Sequence, residues 1–174
     1  MPKLIENLRE RLIDETRRTL LEEGPSAVNI RAIAQACGAA TGTVYNYFPS
    51  KEELIAHAIL GDWLEHVGRA RSSIADCADV TSGLAAIQGC LVDFVDSYRP
   101  TFAASSYALA GPVYAERHTM LCNQLAGLID ELAKRFGLAP SAIAEEVMAE
   151  SLLASVTHGW PTDELMHVLE KLIS

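Results

Sequence analysis

Hydrophobic residues recur along this chain mainly at intervals of three and four, the spacing of a buried face on an amphipathic helix. From about Ile5 to Glu23 leucine and isoleucine follow this spacing, and Gly24-Pro25 ends the segment. Further helices are predicted downstream, with proline and glycine at their ends. Their approximate ranges are 50–75, 81–99, 101–110, 112–136, 140–158 and 162–173. Neither a strand pattern nor an internal repeat competes, so the sequence predicts an all-α protein.

The segment from Asn29 to Leu54 predicts two short helices separated by a glycine turn. Asn29 can cap the first helix with its side-chain oxygen, and Gly38 supplies the permissive backbone that a tight turn needs. The second helix, at about 40–47, can bury only Val44. The predicted buried face of the first helix consists of Ile30, Ile33, Ala34 and Cys37. This arrangement is typical of a helix-turn-helix.

The second short helix carries hydroxyl and amide side chains and no carboxylate. Such a surface suits phosphate oxygens and the edges of bases, so the pattern indicates double-stranded DNA as a partner. Tyr45 and Tyr47 could instead be half-buried aromatics that brace the unit. The glutamates after Lys51 fit an ordinary helix start, where the positive end of the helix favours acidic residues.

The same segment resembles the DNA-binding domain of the tetracycline-repressor-like (TetR) family of bacterial transcription regulators. The family signature is an Ile-Ala-Xaa-Xaa-Xaa-Gly turn followed by Gly-Thr-(Leu/Val)-Tyr-Xaa-Tyr-Phe-Xaa-Xaa-Lys-Glu-Xaa-Leu. The matching residues are Ile33, Ala34, Gly38, Gly42, Thr43, Val44, Tyr45, Tyr47, Phe48, Lys51, Glu52 and Leu54. The resemblance covers roughly the first third of the chain, and the rest resembles the family only in length and helical pattern.

The resemblance implies a homodimeric, ligand-responsive regulator, most simply a repressor that binds a palindromic operator and is released by a small molecule. It implies a three-helix DNA-binding domain at 1–49 and a helical ligand-binding and dimerisation domain at 50–174. In this scheme one group of residues anchors phosphates: Thr43, Tyr45, Tyr47 and Lys51. A second group lies nearest to the bases: Arg31, Thr41, Gly42 and Asn46.

One departure from the family pattern concerns the start of the second short helix. The family usually has Val-Ser where this chain has Ala39 and Ala40, so the capping hydroxyl is absent. Losing such a cap typically costs about 1 kcal/mol of helix stability. We expect Thr41 to take over as the cap, with the helix starting one residue late.

In the family the last two long helices form the dimer interface, and the chain has compatible apolar stripes. These are Ile143, Val147, Leu152 and Val156, then Leu165, Val168, Leu169 and Leu172. They could equally be buried within one subunit. By the same resemblance an unidentified small molecule binds among the middle helices. Its candidate lining residues are Trp63, Phe94, Tyr98, Phe102, Tyr107, Tyr114 and His118. Ordinary core packing is the alternative for each of them.

Charge and cysteine content agree with this interpretation. The net charge is −9. Residues 1–60 carry seven basic and eight acidic residues, whereas residues 61–174 carry seven and fifteen, so the acidity lies outside the proposed DNA-binding region. No apolar stretch is long enough for a membrane span and no export signal is present, so we expect a cytoplasmic protein. The four cysteines are therefore expected to be reduced core residues.

The sequence also bears on two other classes of function. For an enzyme, the chain lacks a nucleophile elbow, a glycine-rich phosphate loop and two histidines four residues apart beside a glutamate. We therefore expect no catalysis, no cofactor and no metal ligands. A helical ligand-binding or adaptor protein whose helix-turn-helix no longer reads DNA is the alternative that Ala39-Ala40 makes more credible.

Overall fold

The computed structural model describes residues 7–104 and 112–173, with side chains described except at 103–104 and 112–117. Within these ranges every regular element is helical, which confirms the all-α prediction. The helices are α1 Leu8–Glu22, α2 Ile30–Ala36, α3 Thr41–Tyr47, α4 Lys51–Asp76, α5 Val80–Ser97, α6 Arg99–Ala104, α7 Pro112–Arg135, α8 Ala142–His158 and α9 Thr162–Ile173. A short 3₁₀ turn, Pro25–Ala27, lies between α1 and α2.

The predicted helix boundaries hold to within a few residues. The range 162–173 is reproduced by α9, and α4 begins and ends one residue later than predicted. The predicted helix at 101–110 starts earlier, because Pro100 is accepted in the first turn of α6, where its missing N–H costs nothing. Residues 105–110 of that prediction lie outside the described residues.

The chain divides into two compact units. The first comprises Met1–Leu64 with Ser97–Ser106, and the second comprises Glu65–Asp96 with Tyr107–Ser174. Helix α4 therefore contributes its first half to one unit and its second half to the other. The functional division at 1–49 and 50–174 stays a prediction.

The first unit is held together by a small apolar core between α1, α2, α3 and the start of α4. The fully buried members include Leu12, Val44, Phe48 and Leu54. An ion pair between Arg17 on α1 and Asp62 on α4 ties these two helices together, and the Asp62 carboxylate is almost completely buried. The burial of these apolar side chains positions α3 against two longer helices.

The second unit has its core along α7, α8 and α9. Its most completely buried side chains include Leu125, Leu128, Ile129, Leu132, Met148, Leu152 and Leu169. Helix α5 approaches this core closely at Gly83, where a Cβ atom would lie 2.9 Å from Leu132 Cδ2. Gln88 donates a buried hydrogen bond of 3.2 Å to Ser155 Oγ. Close packing at glycine and one internal polar contact thus fix α5 in this unit.

Candidate nucleic-acid interface

The turn between α2 and α3 is closed by backbone hydrogen bonds around Gly38. This residue has a φ of 68°, in the left-handed region that glycine adopts without strain. The Gly38 N–H donates to Gln35 O at 3.0 Å, and the Ala39 N–H donates to Ala34 O at 2.8 Å. This pair of bonds forms a Schellman motif, which ends α2 and turns the chain sharply into the approach to α3.

The start of α2 is capped as predicted. Asn29 has an extended backbone, and its side-chain oxygen accepts hydrogen bonds from the N–H groups of Arg31 at 2.9 Å and Ala32 at 3.4 Å. The four residues predicted to form the buried face of the first short helix all lie in the core of the first unit. They are Ile30, Ile33, Ala34 and Cys37. Arg31 and Gln35 are exposed, as the pattern predicted.

Helix α3 packs into the core of the first unit through a single buried side chain, Val44. This confirms the prediction that the second short helix buries only Val44. Exposed positions are Gly42, Tyr45, Asn46 and Tyr47, while Thr41 and Thr43 are partly exposed. The tyrosine side chains retain 50% and 45% of their accessible surface, so neither ring is a core residue. The polar face of α3 is therefore available to a partner, and its contact with DNA stays a prediction.

The predicted replacement cap at the start of α3 is wrong. Ala40 occupies the N-cap position, with φ −77° and ψ 146° and no side-chain hydrogen bond. Thr41 is already the first helical residue, so its backbone is not in the extended conformation from which a side chain caps the helix. The first N–H groups of α3 therefore lack a side-chain acceptor from this position.

Two basic residues, Lys51 and Arg9, lie near the C-terminal end of α3. Lys51 opens α4, where the Ser50 hydroxyl accepts the Glu53 N–H at 3.1 Å and so caps the helix. Sequence reasoning missed Arg9, whose guanidinium carbon lies 5.5 Å from the centre of the Phe48 ring, directly after α3. A cation–π contact between α1 and a residue this distant in sequence has no local signature.

The candidate effector residues that the structure describes are divided between the two units. Trp63, Phe94 and Tyr98 are buried, whereas Phe102 keeps 45% of its surface. Within the first unit the Tyr98 and Phe102 rings lie 6.2 Å apart. Tyr107 and the side chain of Tyr114 lie outside the described residues. His118, in the second unit, is 3.3 Å from a Glu150 carboxylate oxygen. Ligand binding by any of these residues stays a prediction.

The four cysteines are free thiols. Burial raises the pKa of Cys37 and Cys90 above the usual thiol value. Burial, together with a hydrogen bond to Glu150, raises the pKa of Cys122 to about 12. These three thiols are protonated near neutral pH and are poor nucleophiles. The expectation of core residues is confirmed for Cys37 and Cys122, which are buried, whereas Cys77 and Cys90 are partly exposed.

The described helices include none that is both long and apolar enough to cross a membrane.

Two short helices joined by a glycine turn, with the second presenting a polar face, define the first unit as a helix-turn-helix domain.

Comparison with known proteins shows what this domain is similar to. The family model described as "Bacterial regulatory proteins, tetR family" matches residues 12–58. The transcriptional repressor KstR of Mycolicibacterium smegmatis is 41% identical over 51 residues, which cover 29% of this chain and 25% of that protein. KstR2 of Rhodococcus jostii is 27% identical over 113 residues, covering 65% and 55%. Residues 12–58 of the chain are therefore similar to bacterial regulatory proteins of the tetR family.

The solved structures extend the agreement in fold beyond the first unit. A tetR-family transcriptional regulator from Streptomyces coelicolor superposes with a TM-score of 0.64 at 20% identity, over 97% of this chain and 81% of that chain. At this identity the likeness concerns the fold alone. The sequence match to KstR spans only about a quarter of that protein's length.

Proposed function

We propose that this protein is a ligand-responsive transcriptional repressor that binds double-stranded DNA through α3 as a homodimer. The observation that carries the proposal is the exposure of α3, which buries only Val44 and carries no acidic side chain. The matched family and relatives are transcriptional regulators and not enzymes, in agreement with the expectation of no catalysis. Because an operator lies on the chromosome, we also propose a cytoplasmic location.

The exposed and partly exposed residues around α3 divide into two groups by their chemistry. Thr43, Tyr45, Tyr47 and Lys51 offer hydroxyl and ammonium donors suited to phosphates, which fix the position of the helix on the duplex. Base edges in the major groove would be read by the second group, which consists of Arg31, Thr41, Gly42 and Asn46. Glycine belongs there because it lets the backbone approach the bases.

Dimerisation is supported by apolar side chains that one protomer leaves exposed. Ile143 and Val147 on α8 and Val168 on α9 retain 74%, 45% and 53% of their surface. An open groove of about 410 Å³ lies on α8. It is bordered by Val147 and by Trp160, which is also exposed. A second protomer that covered this surface would bury apolar area and place two copies of α3 on two half-sites about 34–36 Å apart.

The other half of the predicted stripes belongs to the protomer's own core. Leu152, Leu165 and Leu169 are buried without any partner, while Val156 and Leu172 are half-buried. The proposed interface is therefore narrower than the sequence pattern predicted. It consists of the outward residues of α8 and α9.

The effector part of the proposal rests on α4. This helix runs without interruption from Lys51 to Asp76, through Gly61 and Gly68. A small molecule bound among the middle helices that changed the tilt of α4 would change the spacing of the two DNA-binding domains. The molecule releases DNA only by the difference between its affinities for the two states.

DNA binding is tested by fluorescence anisotropy of the purified protein with its own upstream DNA, over a salt series and with scrambled competitor. We expect tight, competitor-resistant binding at two protomers, or a multiple of two, per site. Lys51→Ala should weaken binding to every sequence and reduce the salt slope by about one unit. Lys134→Ala, which removes the same charge from an exposed position in the second unit, is the matched control. Equal salt slopes for the two variants would remove Lys51 from the phosphate contacts.

Sequence reading is tested separately with Asn46→Ala. We expect this variant to bind cognate and scrambled DNA with more similar affinities, because the amide no longer distinguishes base edges. If the wild-type protein binds only weakly and without preference, the adaptor alternative replaces the repressor proposal.

The dimer is tested by sedimentation equilibrium of Val168→Asp. A charge on the proposed contact surface should convert the dimer to a monomer, whereas Ala85→Asp, at an exposed position on α5, should leave the dimer intact. A monomeric wild-type protein, or a Val168→Asp variant that stays dimeric, would contradict the proposed interface.

A further inference from the structure

Helices α7 and α8 bring a histidine, a cysteine and a glutamate together in the second unit. His118 and Cys122 are four residues apart, so they lie on one face of α7. Glu150 reaches them from α8. The Cys122 sulfur lies 3.9 Å from His118 Nδ1, and a Glu150 oxygen lies 3.3 Å from His118 Nε2. One potential ligand atom from each residue can be chosen so that all three lie within 4.8 Å of one another.

A single ion would take one ring nitrogen of His118, the sulfur of Cys122 and one oxygen of Glu150, and such a set lies within 4.8 Å. With zinc–nitrogen bonds of about 2.0 Å and zinc–sulfur bonds of about 2.3 Å at a tetrahedral angle, nitrogen and sulfur are about 3.5 Å apart. The distance between Cys122 Sγ and His118 Nδ1 would have to shorten by about 0.4 Å for both atoms to bind one ion, and Glu150 would have to turn from Nε2 towards the same ion. Glu150, which is half exposed, has the freedom to move with them.

The arrangement also differs in burial from an ordinary surface ion pair. Cys122 is buried, His118 is partly buried, and Glu150 borders the open groove on α8. The sulfur thus lies on the inner side of the cluster and the carboxylate on the side open to solvent. In a single protomer an ion could enter from the groove and keep a water molecule as its fourth ligand.

We propose that His118, Cys122 and Glu150 bind a divalent transition metal ion of the zinc type. Thiolate and imidazole donors select zinc and related late transition metals over magnesium and calcium, which require oxygen ligands. The Cys122 thiol, which is protonated without an ion, would release its proton on binding, because a metal-bound thiol is deprotonated. This site differs from the sequence-based expectation of no metal, which considered histidine pairs and cysteine spacing but not a histidine and a cysteine one turn apart. The inference does not depend on DNA binding.

Binding would have a structural consequence that can be measured. The ion would join α7 to α8 through one ligand set, and an ion that binds only the folded state stabilises it by mass action. Zinc should therefore raise the thermal unfolding temperature of the full-length protein, whereas magnesium should not.

The test uses chelator-treated full-length protein and cobalt(II) as the spectroscopic probe. We expect one cobalt ion per chain with a thiolate-to-cobalt charge-transfer band, and displacement of cobalt by zinc. Cys122→Ser should abolish the charge-transfer band, whereas Cys90→Ser, which removes a partly buried thiol outside the cluster, should retain it.

His118→Gln and Glu150→Gln keep the proposal testable if the cysteine variant does not fold. Each should weaken cobalt binding at least tenfold while the circular dichroism spectrum stays helical. Absence of the charge-transfer band in the wild type would overturn the proposal. So would a band lost in Cys90→Ser, or affinities unchanged in both glutamine variants. Because the readout is optical and uses no DNA, failure here is distinguishable from failure of operator binding.

Discussion

Ala40→Ser is expected to stabilise the protein by restoring a cap at the start of α3. Ala40 already has the extended backbone of an N-cap residue, with φ −77° and ψ 146°. Its carbonyl accepts the first helical hydrogen bonds, from Thr43 N–H at 2.9 Å and Val44 N–H at 3.4 Å. A serine hydroxyl at this position can accept an N–H of the first turn without any change of backbone conformation.

The expected gain follows from the measured cost of the reverse change at other helix ends. Replacing a serine cap by alanine typically costs about 1 kcal/mol. For a chain of this size, a gain of about 1 kcal/mol corresponds to a rise in melting temperature of about 2–4 °C. The hydroxyl also lies where the family carries serine, so we expect DNA affinity to rise with stability.

The assay is urea unfolding followed by circular dichroism, with the midpoint compared at constant slope. Asn29→Ala is the reverse control, because it removes the cap present on α2 and should cost about 1 kcal/mol. Ala36→Ser, at an exposed helical position, should cost at most about 0.5 kcal/mol. An Ala40→Ser midpoint at or below that of the wild type, with Asn29→Ala clearly destabilised, would refute the reasoning about α3.

Two further predictions concern α5 and Asp79, the residue directly before it. Gly83→Ala and Gly89→Ala gain the same helix propensity, about 1 kcal/mol, but a Cβ at Gly83 meets the buried Leu132 whereas one at Gly89 meets open space. Gly83→Ala should therefore be less stable than Gly89→Ala by about 1–3 kcal/mol in urea unfolding, and equal midpoints would contradict the close approach. The pKa of Asp79 is held below its usual value by hydrogen bonds from Ser82. The ionised Asp79 therefore adds to the free energy of unfolding at pH values above its unfolded pKa of about 3.9. This stabilisation is lost as the pH falls through the lower pKa of the folded state. In the Asp79→Asn variant the urea midpoint should fall less steeply as the pH is lowered into the acid range. A dependence of the midpoint on pH equal to that of the wild type would show that Asp79 does not contribute to it.

Several local features followed from sequence because their causes are local. The Asn29 cap, the turn at Gly38 and the single buried residue Val44 each depend on a few neighbouring positions. The start of α3 did not follow, because Thr41 and Ala40 are both compatible with a helix start. Backbone conformation decided between them.

The apolar stripes of α8 and α9 show where periodicity stops being informative. Val147 and Leu152 both fit an apolar pattern, yet one is exposed and the other is buried. A helix with apolar residues on two sides does not reveal which side its own chain covers. Only the packing of α8 against the other helices separated the protomer core from the surface proposed for a second copy.

The sequence by itself determined the helical class, the helix-turn-helix and its polar second helix, because periodicity, capping and turn chemistry act over a few residues. Tertiary structure alone decided that Arg9 lies over Phe48 and that Glu150 meets His118 and Cys122. These contacts join residues from different helices, and their formation depends on how those helices pack, which no local pattern specifies.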